Sequence, residues 1–151
     1  MATLRIPKGV GYWGEGKDAS DLPRPQSLVC MGWQAHDLDR IAAYLRGGHV
    51  FGAWGGFAQC RFTNCGALLG SCDLTDGEWV WPEGVEHYLL EHGVCLPDAF
   101  VGTMQSNGWQ VPAAAGTCDA EQFLEAGVGP FGDLSEWIVW SRAFSAGCGG
   151  V

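Results

Sequence analysis

Two thiols and two imidazoles recur at matched spacing in one stretch of this chain. Cys60 and Cys65 lie five positions apart in C-R-F-T-N-C-G, and His87 and His92 lie five positions apart in H-Y-L-L-E-H-G. Thiolates and neutral imidazoles suit a borderline-soft divalent ion, Zn²⁺ above all, and four such donors complete a tetrahedron. Ligand pairs separated by four intervening residues fall within the spacings zinc sites use. Gly66, directly after Cys65, leaves the backbone free to turn its amides toward sulfur. The competing account is two buried thiols packing as small hydrophobes, two exposed histidines and no metal. Cys72 and Cys95 are the nearest substitutes for any one ligand. Cys30, Cys118 and Cys148 have no partner at ligand spacing.

These four residues need elements to bring them together. Cys72 to Thr75 and Glu78 to Trp81 read as strands joined by Asp76-Gly77, a favoured two-residue hairpin turn with positive φ at both positions. Pro82 to His92 reads as a helix. Pro82 fits a first turn that needs no amide donor there, and Glu83 and Glu86 lie near the positive end of the dipole. Val85, Leu89 and Tyr88 supply the apolar side, and Gly93 a C-terminal cap. His87 then sits mid-helix and His92 at the helix end. In a regular helix such a pair points about 140° apart, so the last turn must tighten or widen for both to face one ion.

The order of knuckle, hairpin and helix resembles a treble clef or a Cys2His2 finger. The strings D-G-E-W-V-W-P-E-G-V-E-H-Y and H-G-V-C-L-P-D-A-F also resemble small uncharacterised bacterial proteins that share a W-P-E-G…H-Y…H…L-P signature. That resemblance spans Cys60 to Phe100. It implies a zinc-binding module at Cys60, Cys65, His87 and His92 and brings no activity with it.

Around this module the expected fold is α+β, one small domain over 1–151 with additional short helices. Residues 1–28, broken by Pro7, Pro23, Pro25 and several glycines, read as an irregular N-terminal arm anchored by Tyr12 and Trp13. Ala35 to Arg46 is a helix, with Leu38, Ile41, Ala42 and Leu45 on one stripe and Gly47-Gly48 as a stop. His49 to Trp54 is a strand that Gly55-Gly56 breaks. Leu96 to Phe100 starts a short helix, Gln105 to Gly116 is loop, and Asp119 to Ala126 is a short helix capped by Thr117 or Asp119. Ser135 to Phe144 is ambiguous: the run Trp137-Ile138-Val139-Trp140 favours a buried strand, while the length permits a helix. Cys148 to Val151 is a flexible tail.

The totals exclude several function classes. At 47 % hydrophobic and 17 % charged the chain is globular, not disordered. No signal core and no run of about 20 apolar residues is present, so a cytoplasmic protein is expected, with no membrane role. There, seven cysteines point to metal before disulfides. Net charge is −9, and from Phe62 to Ser141 there are twelve Asp or Glu and no Lys or Arg. Such a surface repels phosphate, so the zinc module should not bind nucleic acid. The acids are either a solvated face or a surface for a basic protein partner.

Three functions are compatible. The first is a non-enzymatic, zinc-stabilised structural or protein-binding component of an assembly, because four protein ligands leave no position for water. The second is an acidic inhibitor or toxin-neutralising partner. The third is a zinc-dependent hydrolase with Glu91 as base, but H-Y-L-L-E-H matches neither H-E-x-x-H nor H-x-x-E-H. Exposure of Trp13, Trp33 or Trp109 would favour a binding surface.

Overall fold

The computed structural model describes residues 5–14, 22–124 and 131–147. They form a small α+β domain in which helices pack on a four-stranded sheet of order β1-β4-β3-β2. The strands are β1 (Lys8–Gly9), β2 (His49–Gln59), β3 (Leu68–Thr75) and β4 (Trp79–Pro82). The helices are α1 (Leu38–Arg46), α2 (Val85–His92), α3 (Asp98–Ser106), α4 (Glu121–Leu124) and α5 (Ser135–Gly147). Short 3-10 turns cover Pro25–Leu28 and Ala113–Thr117. β1 pairs parallel with β4, while β2, β3 and β4 pair antiparallel in chain order.

Period-two alternation in β4 divides the core. Trp79 and Trp81 point into the main cluster with Tyr44, Phe100, Met104 and Trp137, and Val80 points the other way onto Phe51, Ala120 and Phe123. α1 carries the expected stripe, with Ile41 and Leu45 fully buried. It starts at Leu38, not Ala35, because residues 31–37 form turns and the N-cap Asp37 has non-helical angles, φ −113 and ψ 5.

The β3–β4 connection differs from the expected two-residue turn. It has three residues, Asp76, Gly77 and Glu78, and of these only Gly77 has positive φ. The Asp76 side chain holds it: Oδ1 accepts the amides of Glu78 at 2.9 Å and Trp79 at 2.7 Å, and Oδ2 accepts the Tyr44 hydroxyl at 2.7 Å. Burial pushes the Asp76 carboxyl up, against the hydrogen bonds from Tyr44, Trp79 and Glu78.

Gly55-Gly56 does not break β2. The pairing passes from Ala53↔Cys72 to Ala58↔Gly70, so β2 advances five residues while β3 advances two, and the glycines fall in this bulge. Pro82 ends β4 instead of opening a helix, and α2 begins only at Val85 after Gly84 turns the chain with φ +90. A β-carbon on Gly84 would press on the Leu69 carbonyl, so glycine is needed there twice over. Likewise, residues 105 and 106 complete α3 and are not loop. Asp119 caps α4 through Oδ1 and the Gln122 amide, at 3.3 Å, while part of the expected helix and the tail from Cys148 lie outside the described residues.

The ambiguous stretch from Ser135 to Phe144 is the helix α5. Four consecutive apolar residues carry no period, but Trp137, Trp140 and Phe144 fall at i, i+3 and i+7. Their rings stack successively at 5.4 and 5.1 Å, Trp137 donates its indole N–H to the Tyr12 carbonyl at 2.9 Å, and Val139 on the far side is 67 % exposed. Asp133 opens this helix by accepting both the amide and the hydroxyl of Ser135, at 3.0 and 2.7 Å. These bonds hold its carboxyl below the ordinary range. Asp133→Ala should therefore cost about 0.5–1 kcal/mol. A depressed folded pKa stabilises above the unfolded value and the gain is lost as pH falls through the folded one. The difference in urea midpoint between wild type and variant should shrink in acid.

Candidate metal centre

The knuckle lies between β2 and β3. The Cys60 amide donates to the Ala67 carbonyl at 2.9 Å and closes the loop, and the Cys65 amide donates to the Phe62 carbonyl at 3.3 Å. Asn64 and Gly66 take left-handed conformations, φ +67 and +69, on either side of Cys65 and turn its thiol inward. The knuckle is also tied to α2, because the Arg61 amide donates to the Tyr88 hydroxyl at 2.9 Å. Burial pushes that hydroxyl's pKa up to about 12.

α2 presents both histidines to the knuckle. His87 is in the first turn of the helix, not at its middle, since the helix starts later than the sequence suggested. His92 is the last residue. Beyond it the Gly93 and Val94 amides both donate to the Tyr88 carbonyl, and Gly93 takes φ +69. This wide closure opens the last turn, which brings the His92 ring round to 5.1 Å from that of His87. Phe62 stacks on His92 at 4.0 Å with the planes 1° apart and fixes the ring's orientation.

Cys60, Cys65, His87 and His92 are thus brought together, and one ligand atom from each lies within 4.8 Å of all the others. Cys60 Sγ is 3.3 Å from His92 Nε2, and Cys65 Sγ is 3.3 Å from His87 Nε2. Zinc–sulfur bonds of about 2.3 Å and zinc–nitrogen bonds of about 2.0–2.1 Å make tetrahedral edges of roughly 3.4–3.8 Å. The cluster is close to that size, and it could bind a metal ion. Burial raises the Cys60 thiol pKa and lowers that of His92, with the neighbouring His87 adding to the second shift. A neutral His92 is the form that ligates, whereas Cys60 must lose its proton to do so.

The alternative ligands are elsewhere. Cys95 is fully buried with its sulfur 3.6 Å from the Cys30 carbonyl, and Cys72 lines a separate cleft. No disulfide joins any of the described cysteines. Trp13, Trp33 and Trp109 are partly buried against the main core. Comparison with protein-family models, curated proteins and solved structures finds no match. The likeness to bacterial proteins with a W-P-E-G signature therefore rests on the residues alone. No helix among the described residues is long and apolar enough to cross a membrane.

Sequence reasoning missed two supports of the cluster. Tyr88 was legible as an apolar residue of α2, but its hydroxyl contact with a backbone amide leaves no trace in the sequence. Phe62 lies between the two thiols, and an aromatic inside a candidate knuckle is the one signal that could have marked it.

Proposed function

We propose that this chain is a non-enzymatic, zinc-stabilised structural or protein-binding protein, with Cys60, Cys65, His87 and His92 as the ligands of one Zn²⁺. The convergence of those four donor atoms within 4.8 Å carries the reading. Two thiolates with two imidazoles favour zinc over the hard cations, which take oxygen. Four protein donors fill a tetrahedron and leave no site for a water nucleophile, which argues for a structural role and against hydrolysis. A treble-clef-like module is the reading favoured by the order of a knuckle, a hairpin formed by β3 and β4, and a helix that carries two of the four donors. A cytoplasmic, reducing setting would keep the thiols available. The partner would be a protein with basic character, because the twelve acids between Phe62 and Ser141 have no basic residue among them.

Elemental analysis of protein purified without added metal tests this. One zinc per chain is expected, and a strong chelator should remove it with a loss of thermal stability. A purified, folded chain with no transition metal, or one whose melting curve ignores both chelator and added zinc, would overturn the assignment.

A further inference from the structure

A cleft of about 510 Å³ opens beside the knuckle, within the range of about 300–1,000 Å³ that small-molecule sites occupy. Its walls are the N-terminal segment at Tyr12 and Trp13, the β2 bulge at Phe57, and Leu69, Val85 and Phe131. Most of that lining is apolar. Phe57 is 70 % exposed at the lip although nothing in the fold requires an aromatic there.

The polar groups of the cleft divide by what they already hold. Glu83 Oε1 accepts the amides of Ser71 and Cys72, at 3.0 and 3.3 Å. Asp73 is 3 % exposed and accepts the Tyr12 hydroxyl at 2.8 Å. Arg61 is the basic side chain of the lining; it is exposed and has no carboxylate at ion-pair distance among the described residues. The Trp13 indole nitrogen is buried and finds no acceptor among the described residues. An apolar chamber with an exposed cation in its lining, unpaired among the described residues, matches an apolar molecule with one anionic end.

We infer that this cleft binds a monocarboxylate with an apolar body, of the fatty-acid kind, with its carboxylate at Arg61 and its body along Trp13, Phe57, Leu69 and Phe131. The site is independent of the metal's identity. Arg61 belongs to the loop between Cys60 and Cys65, so an ordered knuckle fixes the position of the charge.

Titration calorimetry with dodecanoate below its micelle threshold, on the full chain as purified, tests this. Saturable one-to-one binding is expected, with weaker binding of dodecanol and weaker still of dodecylammonium. Arg61→Gln should weaken dodecanoate about fivefold or more while leaving dodecanol unchanged, and Arg61→Lys should restore most of the loss. Phe57→Ser, at an exposed position, should weaken dodecanoate and dodecanol alike. Metal content and melting temperature measured on each variant separate a lost cleft from a lost metal site. No saturable binding of dodecanoate to a wild-type chain that melts cooperatively would overturn the inference. So would a preference for dodecylammonium, or an Arg61→Gln variant with full dodecanoate affinity.

Discussion

Cys65→Ser and His87→Ala should each abolish metal binding and unfold the loop from Cys60 to Ala67 that packs on α2. The expectation follows from how little else holds the knuckle. Its closure depends on two backbone bonds, the Gln26 side-chain amide donating to the Arg61 carbonyl at 2.8 Å, one hydroxyl contact from Tyr88 and the stack of Phe62 on His92. Structural zinc contributes an apparent binding energy of about 10 kcal/mol to the folding of isolated fingers. Here Cys60 joins a main core that extends well beyond the knuckle, through Trp81, Phe100 and Met104, and that core survives in part, so the loss should be several kcal/mol, or roughly 10 °C or more in melting temperature for a chain of this size. Acid should reproduce the effect in wild type. Protons compete with the metal at thiolate and imidazole, so affinity falls as pH falls and the metal is released in acid. A variant with a full metal load and an unchanged melting curve would show that these residues are not ligands. Removing metal from either variant should add nothing further.

The candidate site was more legible than the fold around it, and the difference has a physical source. Ligand chemistry needs particular residue types, so two thiols and two imidazoles at matched spacing stand out in a single sequence. The helix that carries the imidazoles was found but misplaced at its start, because Pro82 suits the end of a strand as well as the first turn of a helix. The obstacle of the i, i+5 spacing was resolved by the wide closure onto the Tyr88 carbonyl, which only coordinates can reveal. α5 stayed ambiguous between strand and helix because Trp137 to Trp140 is apolar on every face, and the period appears only when Phe144 is included. The three-residue β3–β4 turn was misread because its geometry is set by the Asp76 carboxylate and the distant Tyr44 hydroxyl, not by local φ preferences. At that turn a side chain from elsewhere in the domain decided between two conformations that the local residues allowed.

Trp81→Ala should destabilise the domain by about 3–5 kcal/mol without removing the metal. Trp81 is fully buried where the sheet meets two helices. Its ring lies 5.3 Å from that of Phe100 on α3 and 6.2 Å from that of Tyr44 on α1, and its indole N–H donates to the Leu45 carbonyl at 3.1 Å. The chain also makes room for it, since a β-carbon on Gly48 would come within 2.6 Å of the indole. Truncation leaves a cavity lined by aromatic rings that the sheet cannot collapse to fill, and it strands the carbonyl of the last turn of α1. Trp81→Phe keeps most of the volume and loses the N–H, so it should cost less, about 1–3 kcal/mol. The candidate ligands Cys60, Cys65, His87 and His92 make none of these ring contacts or hydrogen bonds. Equilibrium urea unfolding with metal analysis of the same samples therefore separates two kinds of damage. A Trp81→Ala chain should unfold at much lower urea yet carry one metal per folded chain, the reverse of what a ligand variant shows. Loss of metal in step with stability at this position would mean that the knuckle and the aromatic core are a single cooperative unit, and the several-kcal/mol separation drawn above would be wrong.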